Sequence, residues 1–140
     1  MAPASVEIPA GLVAPIRECA LLLYQAAVEA LGFVLRAQAD RSGPLDEVHR
    51  QRARVAQLDA LLVQLRWPSD PPSRAVAGGL ELSAPREMLH DVLYGALIDA
   101  GERLAVACGE SWRAGAGLET VREAAADVIA LDRLLARVRE

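Results

Sequence analysis

Apolar residues recur along four long stretches of this chain at the three- and four-residue spacing of a helix. Proline- and glycine-rich breaks separate the stretches. The pattern predicts a first helix from about Pro9 or Ala10 to Ala39, with Pro15 tolerated near its first turns, and "DRSGP" breaking it. A second helix runs from Leu45 to about Arg66, with Asp46 and Glu47 in the first turn, where the helix dipole favours acids. The third follows Ser83 as N-cap and ends near Cys108-Gly109, leaving "ESWRAGAG" as a loop, and the fourth runs from Leu118 to near the last residue. Val55, Leu58, Leu62 and Leu65 keep a 3, 4, 3 spacing that Val128, Leu131, Leu135 and Val138 repeat, which gives each of the two helices one buried stripe. Ahead of helices 1 and 3, "VEI" and "LEL" alternate apolar with charged residues, the pattern of a short strand.

The chain also repeats itself. At an offset of 70, Leu12–Ala30 falls on Leu82–Ala100 with seven of nineteen positions identical, including Pro15 with Pro85 and Tyr24 with Tyr94. At an offset of 73, Leu45–Trp67 falls on Leu118–Glu140 with nine of twenty-three identical, including Asp59 with Asp132. Matched Pro, Tyr and Asp at nearly constant offsets point to an internal duplication of a helical hairpin. The expected fold is therefore all-α: a pseudo-twofold four-helix bundle of two duplicated hairpins. A minimal two-stranded ladder between Val6–Ile8 and Leu80–Leu82 goes with it. One domain spans residues 1–140, with unit one at 6–67, a proline-rich linker at 68–79 and unit two at 80–140.

Composition narrows the function classes. Hydrophobic residues make up 53% and aromatics 4%, so the core is Leu, Val, Ile and Ala. Net charge is −4 and every basic residue is Arg, so there is no electrostatic reason to bind nucleic acid or an anionic membrane. Cys19–Leu35 is nearly continuous apolar sequence, but it is only 17 residues long and Glu29 interrupts it, so no membrane span is expected. Two cysteines, Cys19 and Cys108, and an N-terminus without a basic export signal lead to an expected cytoplasmic location. The run His49–Arg54 reads as a solvated helix face.

The chemistry of catalysis is mostly missing. Glu87-x-x-His90 and Asp46-x-x-His49 have the spacing of a metal-binding bundle motif. However, the two histidines begin helices 2 and 3, whose starts fall at opposite ends of an antiparallel bundle. No metal or other cofactor is expected, and His90 reads as a structural histidine. No serine or cysteine lies in a nucleophile signature, and "AGAG" lacks the Lys of a phosphate loop. The repeated Tyr24 with Asp59 and Tyr94 with Asp132 read as polar pairs that fix hairpin register, each hydroxyl donating to its carboxylate.

The expected function is that of a non-enzymatic helical bundle acting through protein–protein contacts, chiefly self-association. The alternatives are a small-molecule-binding bundle with a pocket between the hairpins, or a toxin-neutralising, immunity-type partner. The expected assembly is a homodimer, and the sequence identifies no other protein partner. At the 70-residue offset Leu21 becomes Asp91 and Phe33 becomes Arg103, so hairpin construction does not require these apolar residues. Leu21, Glu29 and Phe33 are accordingly the expected dimer interface.

Overall fold

A computed structural model describes residues 3–39, 45–71, 78–115 and 117–140. Strand β1 (Pro3–Ile8) leads through a 3-10 turn (Ala10–Leu12) into helix α1 (Val13–Ala39), which is followed by α2 (Leu45–Gln64). Strand β2 (Leu80–Pro85) leads directly into α3 (Arg86–Ala114), followed by α4 (Leu118–Arg139). Helix α1 packs on α2 and α3 on α4 as two hairpins, and α1 and α3 join them. The strands pair antiparallel with Val6 opposite Leu82 and Ile8 opposite Leu80, the ladder expected from "VEI" and "LEL". Each strand packs on the second helix of the other hairpin, β1 on α4 and β2 on α2, so the hairpins are tied together crosswise.

Local chemistry explains most boundaries. Pro15 is the third residue of α1, where a backbone N–H would have no partner inside the helix, so its ring costs nothing there. At the end of α2, the Trp67 N–H bonds the Leu62 carbonyl and the Arg66 N–H bonds that of Val63, with Arg66 left-handed at φ 65°. That pair of bonds is a Schellman stop, built on Arg where glycine is usual. Two expectations fail at α3. Ser83 is a strand residue rather than a cap, because the alternation of "LELSA" continues to Pro85, which takes the N-cap position with no side-chain bond. The helix also runs past Gly109 to Ala114, so "ESWRA" is helical, and Gly115 at φ 66° is what stops it. The loop "DRSGP" and half of the linker, residues 72–77, lie outside the described residues; within the linker's described start, Arg17 donates to the Ser69 carbonyl.

The core is concentrated at the end that carries the ladder. It holds Val6, Ile8 and Leu82 from the strands, Val13, Ile16 and Ala20 from α1, and Leu58, Leu61, Leu62 and Leu65 from α2. Met88, Leu89, Val92, Leu93 and Ala96 come from α3, and Leu131, Leu134, Leu135 and Val138 from α4. Each fully buried Leu there contributes about 1.5–3 kcal/mol. The α2 and α4 stripes match position for position at the offset of 73, with Leu58, Leu61, Leu62 and Leu65 buried as are Leu131, Leu134, Leu135 and Val138.

The first halves of the units match in a different register. Val6 pairs with Leu82, Pro9 and Pro85 cap their helices with nearly the same backbone angles, and Cys19 Sγ sits against Gly95. All three pairs are 76 positions apart, and burial follows the same offset: Leu12 with Met88, Val13 with Leu89, Ile16 with Val92, Ala20 with Ala96. A strand pair and a helix crossing in which a residue meets its own counterpart both lie on a local twofold axis. The identities at offset 70 therefore mark no structural equivalence: Pro15 is inside a helix where Pro85 precedes one. Tyr24 corresponds to Ala100 rather than to Tyr94.

Candidate functional site

Away from the ladder the hairpins bury little, and large apolar side chains meet solvent. On α1 these are Leu22, Val28, Phe33 and Leu35, with Phe33 71% exposed. On α3 they are Tyr94, Ile98, Val106 and Trp112, the tryptophan 89% exposed. Leu45 and Leu118, at the starts of α2 and α4, are exposed as well. Glu29, Gly32, Phe33 and Arg36 line an open cleft of about 490 Å³ on α1. The segment Ala10–Ala39 is long and apolar enough, by length and composition, to cross a membrane. In this fold it contributes Val13, Ile16, Ala20 and Ala27 to the core, and only 11% of its most apolar stretch is buried.

Of the residues expected at a dimer interface, Glu29 and Phe33 are exposed and share the cleft. Leu21 does not join them. It is half-buried against the core, and its counterpart at the structural offset is Leu97, packed the same way. Setting Leu21 against Asp91 uses the wrong register, and Leu21 and Leu97 each pack inside their own hairpin. The polar pairs also separate. Asp59 and Asp132 are exposed, and no direct hydrogen bond joins Tyr24 to Asp59 or Tyr94 to Asp132 among the described residues. The Tyr94 ring instead stacks on His90, with centroids 5.8 Å apart and planes 7° from parallel.

His90 is the centre of a tie between three helices. Arg139 of α4 lies 3.2 Å from its Nε2, Asp91 Oδ1 lies 3.6 Å from its Nδ1, and Arg54 of α2 reaches within 3.9 Å of Asp91. A guanidinium can only donate, so Nε2 accepts and the ring proton sits on Nδ1, toward Asp91. The adjoining cleft of about 410 Å³ is lined by Arg86, Glu87, His90, Asp91, Val138 and Arg139, in which basic and acidic groups alternate. The cluster links α2, α3 and α4 through side-chain contacts. His49 lies in the first turns of α2, at the end away from the ladder, whereas His90 opens α3 at the ladder end.

The remaining polar contact of note is at the ladder edge. Gln64 Nε2 donates to the Ser83 carbonyl at 2.8 Å, and the Ser83 N–H donates back to Gln64 Oε1 at 2.7 Å. One side chain thus supplies the two backbone bonds that a third strand would make. Cys19, half-buried at the helix crossing, has its thiol pKa raised by burial and, secondarily, by the nearby Asp99 and Asp91 carboxylates. It stays protonated and slow to react at neutral pH. Cys108 is exposed, and neither cysteine is in a disulfide.

No family model matches the chain, and no curated protein and no solved structure matches it.

Proposed function

We propose that this protein is a non-enzymatic helical bundle that works by associating with a second copy of itself. The observation that carries the reading is the concentration of exposed apolar side chains on α1 and α3, Trp112 and Phe33 foremost. Large apolar side chains exposed along one side of a helix, as Tyr94, Ile98 and Trp112 are on α3, mark interaction sites in soluble proteins. A twofold homodimer is the commonest closed assembly that covers it. The clefts beside this surface are open and lined with charged residues, unlike the enclosed apolar pockets that hold small molecules.

Light scattering on untagged protein across a wide concentration range is the test. A mass that rises toward twice the chain mass supports the proposal. A monomer at every concentration overturns it.

A further inference from the structure

We infer that the exposed seam of α3 is a twofold face on which the α3 helix of a second copy docks antiparallel. This rests on the self-association proposed above and moves the contact from α1 to α3. Tyr94, Ile98, Gly101, Ala105, Cys108 and Trp112 follow one another at spacings of 4, 3, 4, 3 and 4. That is the seven-residue period that keeps one side of a helix turned toward a partner helix. The seam extends for about 27 Å at 1.5 Å per residue. It faces away from the bundle: Gly95, which meets α1, and Ala96, Ala100 and Ala107, which are buried, occupy the other sides of α3.

Three features say that the occupant is this same helix. First, the side-chain sizes read the same from both ends: large, medium, small, small, medium, large. An antiparallel twofold about position 103 sets Tyr94 against the partner's Trp112, Ile98 against the partner's Cys108, and Gly101 against the partner's Ala105. Small residues then meet where two crossing helices are closest, and the aromatic rings fill the ends where they diverge.

Second, no contact among the described residues requires glycine at position 101. A Cβ added there meets nothing within 4 Å. A glycine inside a helix is nonetheless destabilising relative to alanine. Its α1 counterpart is Gln25, so hairpin building does not call for glycine either. Close approach of another backbone does. Third, the same register brings Asp91 within two positions of the partner's Arg113 at each end of the seam, inside the reach of a guanidinium side chain, and both side chains are exposed. The corresponding line on α1 is Glu18, Leu22, Gln25, Glu29, Gly32 and Arg36, mostly polar, so the contact closes at two copies and builds no filament.

A single helix pair is a small interface, so association is followed by sedimentation up to about 300 µM. Three full-length proteins are compared: wild type, Gly101→Leu and Phe33→Arg. Gly101→Leu blocks the close approach while entering open space in the monomer. It is expected to weaken the dimer at least tenfold with the melting temperature of the monomer unchanged or raised, and Phe33→Arg is expected to stay dimeric. A monomeric wild type removes self-association altogether. A dimer that survives Gly101→Leu, or is lost in Phe33→Arg, leaves self-association standing and overturns the α3 seam. Orientation is read separately, in a Cys19→Ala background with Ile98→Cys and a short bismaleimide. The antiparallel register predicts a cross-linked dimer through positions 98 and 108 that is absent without the introduced thiol. Efficient cross-linking through Cys108 alone indicates a parallel pair and overturns the register.

Discussion

The crossing of α1 and α3 makes a prediction that can be worked through quantitatively. Gly95→Ala adds one methyl group at the point where the two helices meet, and that methyl would overlap Cys19 Sγ. Two effects oppose each other. Replacing an interior helix glycine by alanine stabilises by about 1 kcal/mol. Forcing a methyl group into an occupied contact costs about 1–3 kcal/mol. Cys19 can yield only by turning its thiol out of the crossing, which empties the contact it makes. The net expectation is a loss of up to about 2 kcal/mol in the wild-type background.

Removing the sulfur first, as Cys19→Ala, leaves the propensity gain without the overlap. Gly95→Ala should then be neutral or stabilising, and the two substitutions should be coupled by about 1–3 kcal/mol. The assay is urea unfolding followed by far-ultraviolet circular dichroism, with all four proteins at one concentration so that association does not differ between them. Simple additivity of the two substitutions would show that Cys19 and Gly95 do not meet, and the placement of the twofold axis through that pair would fall with it.

Other expectations follow from single contacts. Gln64→Glu keeps size but replaces the donating amide with a second acceptor beside the Ser83 carbonyl; it should lower stability by about 1–3 kcal/mol in the same unfolding assay, and Gln64→Ala by less. Arg66→Gly relieves a left-handed non-glycine residue at the end of α2 and should stabilise by about 1 kcal/mol, with a raised melting temperature as the readout. Because the folded Cys19 thiol holds its proton more tightly than the unfolded one, wild-type stability should fall as pH rises past about 8.5, and Cys19→Ala should flatten that fall in melts across the alkaline range. With a colorimetric thiol reagent, Cys108 should react well before Cys19 in dilute protein, and its rate should drop with rising protein concentration as the α3 seam is covered. Equal rates for the two thiols would contradict their burial, and a Cys108 rate independent of concentration would contradict the seam.

The helices and the ladder were legible because their signals are periodic: the stripes of α2 and α4 and the alternation in "VEI" and "LEL" each recur over several residues. The register between the first halves of the units was not. In a sequence dominated by Leu and Ala, identities accumulate at the wrong offset, whereas the true equivalence retains Pro9 with Pro85, Ala20 with Ala96 and Leu21 with Leu97, and elsewhere near the ladder conserves burial rather than identity. That error carried over to the interface, since Leu21 gained its importance only from being set against Asp91. Ser83 misled because a serine before a helix reads as a cap, whereas it sits in the ladder opposite Ser5 with its backbone N–H and C=O held by Gln64. The line from Tyr94 to Trp112 was visible as a spacing. Its exposure was not, because a seven-residue period looks the same whether it faces the core or the solvent.

The ladder has a consequence for how the chain reaches its fold. Val6 and Leu82 are neighbours only after the first hairpin and the connection behind it have been laid down, whereas each helical hairpin closes through contacts nearby in sequence. Closing the long loop last is the economical order, because its entropy cost is met once the hairpins already hold most of the chain. Weakening the strand pair, as with Val6→Ala, should then hasten unfolding and leave the refolding rate nearly untouched. The two short strands would act as a late-set clasp, governing how long the folded bundle lasts more than how quickly it forms.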